Sequence, residues 1–163
     1  MKHHGGGIMI RSATKDDIPV IMNLLEQVAA IHHHMRPDIF KPAAAKYTVA
    51  ELEQILSNKK TPVFVYTDAE NTVRGYAFCA VKEHKNETLL ADSKSVYIDD
   101  LCVDENCRGK HIGVALYAYV KNFAKSIGAN SITLNVWEGN AGAKAFYEHL
   151  GMRVQRTTME DKF

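Results

Sequence analysis

Two stretches of this chain gather side chains and backbone features that can do chemistry. The first runs from Tyr97 to Leu116, where an alternating apolar strand carries two adjacent carboxylates, Asp99 and Asp100. It breaks into the polar turn Arg108-Gly109-Lys110-His111, which opens a helix at Ile112-Gly113. The first backbone N–H groups of a helix have no partners inside it, and the helix dipole puts partial positive charge there, so such a start receives anions. Gly109 and Gly113 let the backbone approach the anion closely, and Arg108 and Lys110 add full charges. Two familiar phosphate motifs are excluded. A P-loop needs Gly-x-x-x-x-Gly-Lys-Ser/Thr, whereas Gly113 is followed by Val114-Ala115. A dinucleotide fingerprint needs Gly-x-Gly-x-x-Gly, which Arg108 to Gly113 does not supply.

The second stretch is Asn140 to Met152, with Phe146-Tyr147 on one apolar helix face and Gly151 just past the helix end. Together the two segments resemble the GNAT N-acetyltransferases. Arg108 to Gly113 is similar to that family's pyrophosphate-binding Arg/Gln-x-x-Gly-x-Gly/Ala, with His111 standing where a middle glycine is usual. Asn140 to Met152 is similar to the family's Asn-x-x-Ala-x-x-Phe-Tyr-x-x-x-Gly-Phe, with Met152 replacing the last Phe, a volume-conserving apolar change. The order of elements matches the family from Met9 to Phe163.

The resemblance implies a single-domain α/β GNAT fold over residues 9–163: a mixed twisted sheet of six or seven strands flanked by about four helices. It implies transfer of the acetyl group of acetyl-CoA directly to a primary amine, with no metal. Backbone groups of Leu101, Cys102 and Val103 would meet the acetyl carbonyl and the pantetheine arm, polarising the carbonyl as an oxyanion site does. Arg108, Gly109, Lys110, His111, Ile112 and Gly113 would hold the pyrophosphate, with Val114 beside them, and Asn135 and Asn140 would add polar contacts. Tyr147 would serve the leaving thiolate, and Asp99 or Asp100 would take the proton from the amine, Asp99 being favoured.

That chemistry has demands of its own. An alkyl ammonium of pKa near 10.4 is roughly 10⁻³ deprotonated at neutral pH, so making the nucleophile costs about 4.6 kcal/mol. A carboxylate near the amine, directly or through water, can receive the proton. A tyrosine near pKa 10 is a weaker acid than a thiol near 8.5, so full proton transfer to the thiolate is uphill by about 2 kcal/mol. A hydrogen bond that strengthens as the thiolate forms suffices. In a regular strand Asp99 and Asp100 point to opposite faces, so one of them reaches the amine.

The elements that must position these groups follow from periodicity. Met9 to Ser12 reads as a strand. Thr14 with Asp17 forms a capping-box variant ahead of a helix whose apolar residues Ile18, Ile21, Leu25 and Val28 fall at helical spacing, with Pro19 tolerated in the first turn. The helix ends in His32-His33-His34. Three adjacent histidines on a helix point about 100° apart and do not share one tetrahedral metal site, so they read as a polar helix end. A second helix covers Val49 to Ser57. Pro62 to Thr67 and Val73 to Lys82 form a hairpin, Glu83 to Ser93 a loop, and Ser95 to Val103 a strand. A helix from about Gly109 to Ile127 carries the stripe Ile112, Leu116, Tyr119, Val120, Phe123 and Ile127, and Gly128 stops it. Ser131 to Val136 is a strand and Asn140 to Leu150 a helix. Met152 to Phe163 forms the last extended segment.

Composition bounds the rest. The 163 residues suit one domain, and 46% apolar with 24% charged residues describes an ordinary globular chain. A net charge of +1 gives no support to a nucleic acid partner, and no apolar run is long enough to span a membrane. Cys79, Cys102 and Cys107 form no Cys-x-x-Cys pair, which favours a reducing cytoplasm and inert thiols. Residues 1–8 read as a flexible leader, with Met9 as the natural start. A homodimer is common in the resembled family, and no sequence feature here decides it. The acceptor is a small amine in preference to a peptide N-terminus or lysine. A non-catalytic acyl-CoA-binding or regulatory module is the alternative, and the Asp pair with Tyr147 speaks against it. The walls of the acceptor site are expected from Ile31 to Lys46 and from Glu83 to Ser93.

Overall fold

The structure is a computed structural model that describes residues 7–42 and 44–163; most of the expected leader lies outside the described residues. Five strands form one sheet in the order β1-β2-β3-β4-β5: β1 (Met9–Ser12), β2 (Val63–Thr67), β3 (Val73–His84), β4 (Ser93–Val103) and β5 (Ser131–Leu134). The first four pair antiparallel and β5 joins β4 in parallel. Four helices cover the sheet: α1 (Ile18–Met35), α2 (Val49–Ser57), α3 (Ile112–Ser126) and α4 (Ala141–His149).

Strand alternation splits the core in two. Val63 and Val65 of β2, with Tyr76 and Phe78 of β3, pack under Ile18, Ile21, Leu24 and Leu25 of α1 and Leu52 of α2. Phe64, Tyr66, Ala77 and Cys79 face the other way, against Ile112, Leu116, Tyr117 and Val120 of α3, with Tyr147 and Leu150 of α4 at the edge. The α3 stripe therefore buries Tyr117, while Tyr119 lies at the rim with its ring edge-on to Phe64 at 4.9 Å.

β4 changes sides partway. Phe78 pairs with Asp100 and the next residue, Cys79, with Ile98, so Asp99 is an extra residue, a β-bulge. One inserted residue reverses the facing of everything beyond it. Val96 and Ile98 point to the α3 side and so do Leu101 and Val103, whereas Cys102 joins the α1 cluster. Pairing with β5 ends at Ile98–Leu134. Beyond the bulge, Asp100 to Val103 pair with β3 alone, and the two parallel strands part.

Two expectations need correction. The sheet has five strands, not six or seven, because Met152 to Phe163 forms no strand. From Arg153 onward this segment makes no backbone–backbone hydrogen bond among the described residues, and its apolar Val154, Met159 and Phe163 are exposed. Without a buried face nothing sets a register. The tail is instead tied by side chains, Arg36 to Glu160 at 2.8 Å and Lys162 to Asp38. The helix expected from Gly109 begins three residues later, at Ile112.

Candidate active site

The parting of β4 from β5 brings the two sequence motifs together. At Gly113, in the first turn of α3, an added Cβ would lie 3.1 Å from the Phe146 ring of α4 and 3.7 Å from Cγ2 of Val103. The end of β4, the start of α3 and α4 thus meet at one point, and the absence of a side chain at Gly113 allows it. The turn before α3 is exposed through Arg108, Gly109, Lys110 and His111. Gly109 has φ +78°, and His111 has φ +60° and ψ +18°, the left-handed region that glycine adopts most easily. The glycine expected in the middle of the motif would have served this backbone conformation, which His111 adopts instead. Leu101 and Val103 are half-buried against the α3 side and Cys102 is buried. Ile112 is buried and Val114 exposed. Asn135 is exposed just past β5, and the Asn140 side chain accepts from the N–H of Ala143 at 3.1 Å, capping α4.

The carboxylates do not take opposite faces as a regular strand would have them. The bulge turns both toward the α1–α2 side. Asp99 accepts from the Tyr47 hydroxyl at 2.5 Å and pairs with Lys46 at 2.9 Å. Asp100 accepts from the Tyr76 hydroxyl at 2.8 Å. Burial pushes the Asp100 carboxyl above the usual range, against the Tyr76 hydrogen bond and the charges of Lys46 and His32, which pull it down. Tyr147 is raised above its ordinary value of 10.0 by burial first and then by the charge of Asp100, so the phenol stays protonated at neutral pH. Its ring meets Phe146 edge-on at 5.0 Å. Tyr147 packs on the α3 side of the sheet, while Asp99 and Asp100 bond on the α1–α2 side.

Two partners escaped the sequence reading, Tyr47 and Tyr76, and Lys46, at the end of an expected wall, was not paired there with Asp99. The bulge that gathers them had a signal, since Ile98 and Leu101, both on the α3 side, stand three residues apart rather than two. Within the segment expected to wall the acceptor, Ile31 to Lys46, the side chains of Phe40, Arg36 and Lys46 make defined contacts. Phe40 stacks on His32 at 4.9 Å and meets Trp137 edge-on at 5.4 Å, and Arg36 lies over Trp137 at 5.9 Å. The second expected wall, Glu83 to Ser93, lies toward the far end of the β3–β4 hairpin, beyond the pair His84–Ser93. Among the described residues no group of three or more His, Cys, Asp or Glu is placed to hold a metal ion. The cysteines are free and buried, and burial pushes the thiols of Cys79 and Cys102 up to about 12.

The sheet with parted parallel strands carries a basic glycine turn at the start of α3 and a half-buried tyrosine on α4, on the side of the sheet opposite the two carboxylates. Two mutants of the BH1408 protein from Bacillus halodurans superpose with TM-scores of 0.91 and 0.92 at 32% identity, covering 95% of this chain and 99% of theirs. Glucosamine-6-phosphate N-acetyltransferase from Arabidopsis thaliana gives 0.70 at 20% identity, over 96% of this chain and 98% of that one. An aminoglycoside acetyltransferase from an uncultured soil metagenomic sample, in complex with sisomicin, gives 0.72 at 18%, over 96% and 95%. At these lower identities the last two show the fold alone. No match is found among curated proteins. The model of the acetyltransferase (GNAT) family matches residues 26–152. The chain belongs to that family, whose members transfer acetyl groups and generally use acetyl-CoA.

Proposed function

We propose that the protein is an N-acetyltransferase that moves the acetyl group of acetyl-CoA directly to a primary amine. The observation that carries this reading is the convergence of Val103, Gly113 and Phe146 at the parting of β4 and β5, with Tyr147 on one side of the sheet and the two aspartates on the other. The residues fit an acyl-CoA. The edge of Asp99 to Val103 that faces away from β3 has no strand partner among the described residues; Cys102 turns its backbone groups to β3, leaving those of Leu101 and Val103 for an amide-bearing arm. The start of α3 adds free N–H groups flanked by Arg108 and Lys110 for a pyrophosphate. When bound, acetyl-CoA supplies an activated thioester.

Asp100 draws the acceptor's ammonium toward the parting, and Asp99 holds Lys46 and Tyr47 at its mouth. The backbone N–H groups of Leu101 and Val103 favour the negative charge that grows on the carbonyl oxygen as the nitrogen–carbon bond forms and the carbon–sulfur bond breaks. Tyr147, kept protonated by burial, donates to the leaving sulfur. One ammonium proton leaves through a base and the second reaches the thiolate, so that an amide and a free thiol result. Asn135, Asn140 and His111 lie along the cofactor's path.

A small amine is favoured over a peptide because ion pairs close one end of the acceptor side. Arg36 binds both Asp38 and Glu160 at 2.8 Å, and Lys162 binds Asp38, so the tail is tied to the loop after α1. Unreactive buried thiols support a reducing, cytoplasmic setting, and no helix among the described residues is long and apolar enough to cross a membrane. The test is release of free thiol from acetyl-CoA in the presence of spermidine, tyramine, glucosamine 6-phosphate, sisomicin and lysine-containing peptides. Amine-dependent release is expected with small amines. Tight acetyl-CoA binding with no release on any amine would favour a non-catalytic module.

A further inference from the structure

The three histidines ending α1 have separate fates. His34 is exposed, and His33 Nδ1 lies 2.7 Å from the carbonyl oxygen of Phe40. His32 continues the buried face, four residues beyond Val28 in the series Ile18, Ile21, Leu25, Val28. The second half of α1 bridges the gap between the parted strands. On the β4 side, the Leu24 carbonyl accepts from Cys102 Sγ at 3.8 Å and the Gln27 side chain accepts from the Glu105 N–H at 3.1 Å. Beyond β5, Met35 packs on Gly139 and Arg36 covers Trp137. His32 falls within that span. Its ring is held by stacking on Phe40.

We propose that His32 is a catalytic base that takes the proton the acceptor's ammonium must lose, an inference that rests on the acetyl-transfer reading above. An N–H bond of the ammonium breaks, its electron pair stays on the amine nitrogen, and the proton binds a ring nitrogen of neutral His32. The imidazolium so formed is stabilised by Asp100 and passes its proton to water after turnover. Asp99 is already engaged by Lys46 and Tyr47, and Asp100 by Tyr76. An imidazole is a stronger base than a carboxylate, so the climb from the ammonium is shorter. Burial lowers the His32 pKa from its ordinary 6.5, Asp100 on β4 raises it and Lys46 before α2 lowers it, so the ring is neutral and ready at pH 7. Arg36, one turn further along α1, is paired with Asp38 and Glu160.

The test compares wild type and His32→Gln by the pH dependence of kcat/KM, with spermidine and tyramine as amine probes and acetyl-CoA affinity measured by calorimetry. The variant is expected to lose about 10²- to 10³-fold at pH 7 with acetyl-CoA affinity unchanged. The wild-type acid limb, with its inflection below 6.5, should vanish. In its place the rate should climb about tenfold per pH unit up to the amine's own pKa, because only amine already deprotonated in solution reacts. NMR titration of the His32 ring in the wild type should give a value below 6.5 that falls further in Asp100→Asn. An unchanged acid limb with a loss under about threefold, or a ring titrating at 6.5 or above, overturns the assignment. A wild type that binds acetyl-CoA and acetylates neither probe counts against acetyl transfer to such amines, and with it against the base.

Discussion

The flanks of β4 proposed for the acyl group and for the acceptor are opposite and are held by different forces. On the acyl side, Gly113, Val103 and Phe146 touch in van der Waals contact, and the polar groups on offer are backbone N–H and C=O groups at a strand edge and a helix start. On the acceptor side, side chains from distant segments meet as charge pairs: Lys46 with Asp99, Arg36 with Asp38 and Glu160, Lys162 with Asp38. Backbone geometry cannot be exchanged without moving the fold, whereas exposed ion pairs contribute at most about 1 kcal/mol each and can be replaced singly. One flank is therefore suited to an unchanging ligand and the other to a ligand that varies.

Tyr147 is where the two sides meet, since it sits on α4 yet feels the charge of Asp100. Under the acetyl-transfer reading, Tyr147→Phe lowers kcat by about 10²-fold or more while acetyl-CoA affinity stays put. Calorimetry beside steady-state kinetics checks both halves of that statement. An unchanged kcat would remove Tyr147 from the chemistry and leave it a packing residue of the acyl side.

Next in size is a methyl group placed where the acyl side has no room. A Cβ at Gly75 of β3 would lie 2.8 Å from the backbone oxygen of Cys102 and 3.2–3.3 Å from Leu116 and Ile112. The oxygen cannot swing aside, so Gly75→Ala should cost about 1–3 kcal/mol in urea unfolding. It should also weaken acetyl-CoA binding, because the end of β4 must shift against α3. Equal weakening of amine and acetyl-CoA binding would blur the distinction between the flanks.

The acceptor side should yield more selectively. Asp17 precedes α1 and receives two hydrogen bonds from Arg11, at 2.7 and 2.9 Å, and one from the Thr14 N–H at 2.8 Å. Asp17→Asn should cost about 2 kcal/mol. It should raise the KM for the amine by loosening α1, and leave acetyl-CoA affinity alone. Burial pushes the Asp17 carboxyl up, but the Arg11 and Thr14 bonds outweigh it and hold the group below its ordinary 3.8. Its contribution is therefore complete above that value and is lost as pH falls through the lowered one. Urea midpoints of wild type and variant should begin to converge as pH falls below 3.8 and meet only below the lowered value.

The same contrast explains what the sequence made legible. Glycines, a basic turn and an Asn-x-x-Ala-x-x-Phe-Tyr helix mark the acyl side because backbone conformation and close approach demand particular residue types at short spacing. The acceptor side offered no such pattern. Lys46, Tyr47 and Tyr76 reach Asp99 and Asp100 only because one inserted residue reverses β4, and two adjacent aspartates in an apolar run read equally well as a regular strand end. The missing sixth strand has a related cause. Arg153 to Phe163 alternates too few apolar residues to bury a face, and ion pairs, which leave no periodicity, hold it.

The smallest effect is the most pointed for the acyl side. His111 holds φ +60° with a Cβ, at a cost of about 1 kcal/mol that glycine avoids, while glycine gives back part of the gain through its freer unfolded chain. His111→Gly should therefore stabilise the fold by no more than about 0.6 kcal/mol. The ring is exposed and makes no hydrogen bond among the described residues, and the backbone N–H survives the substitution. Acetyl-CoA affinity should then change by less than about threefold, or 0.7 kcal/mol. A tenfold tightening would mean the ring had obstructed the anion. A tenfold loss would mean the imidazole had been holding it. In either case a side chain, and not backbone alone, would govern the flank that otherwise depends on backbone.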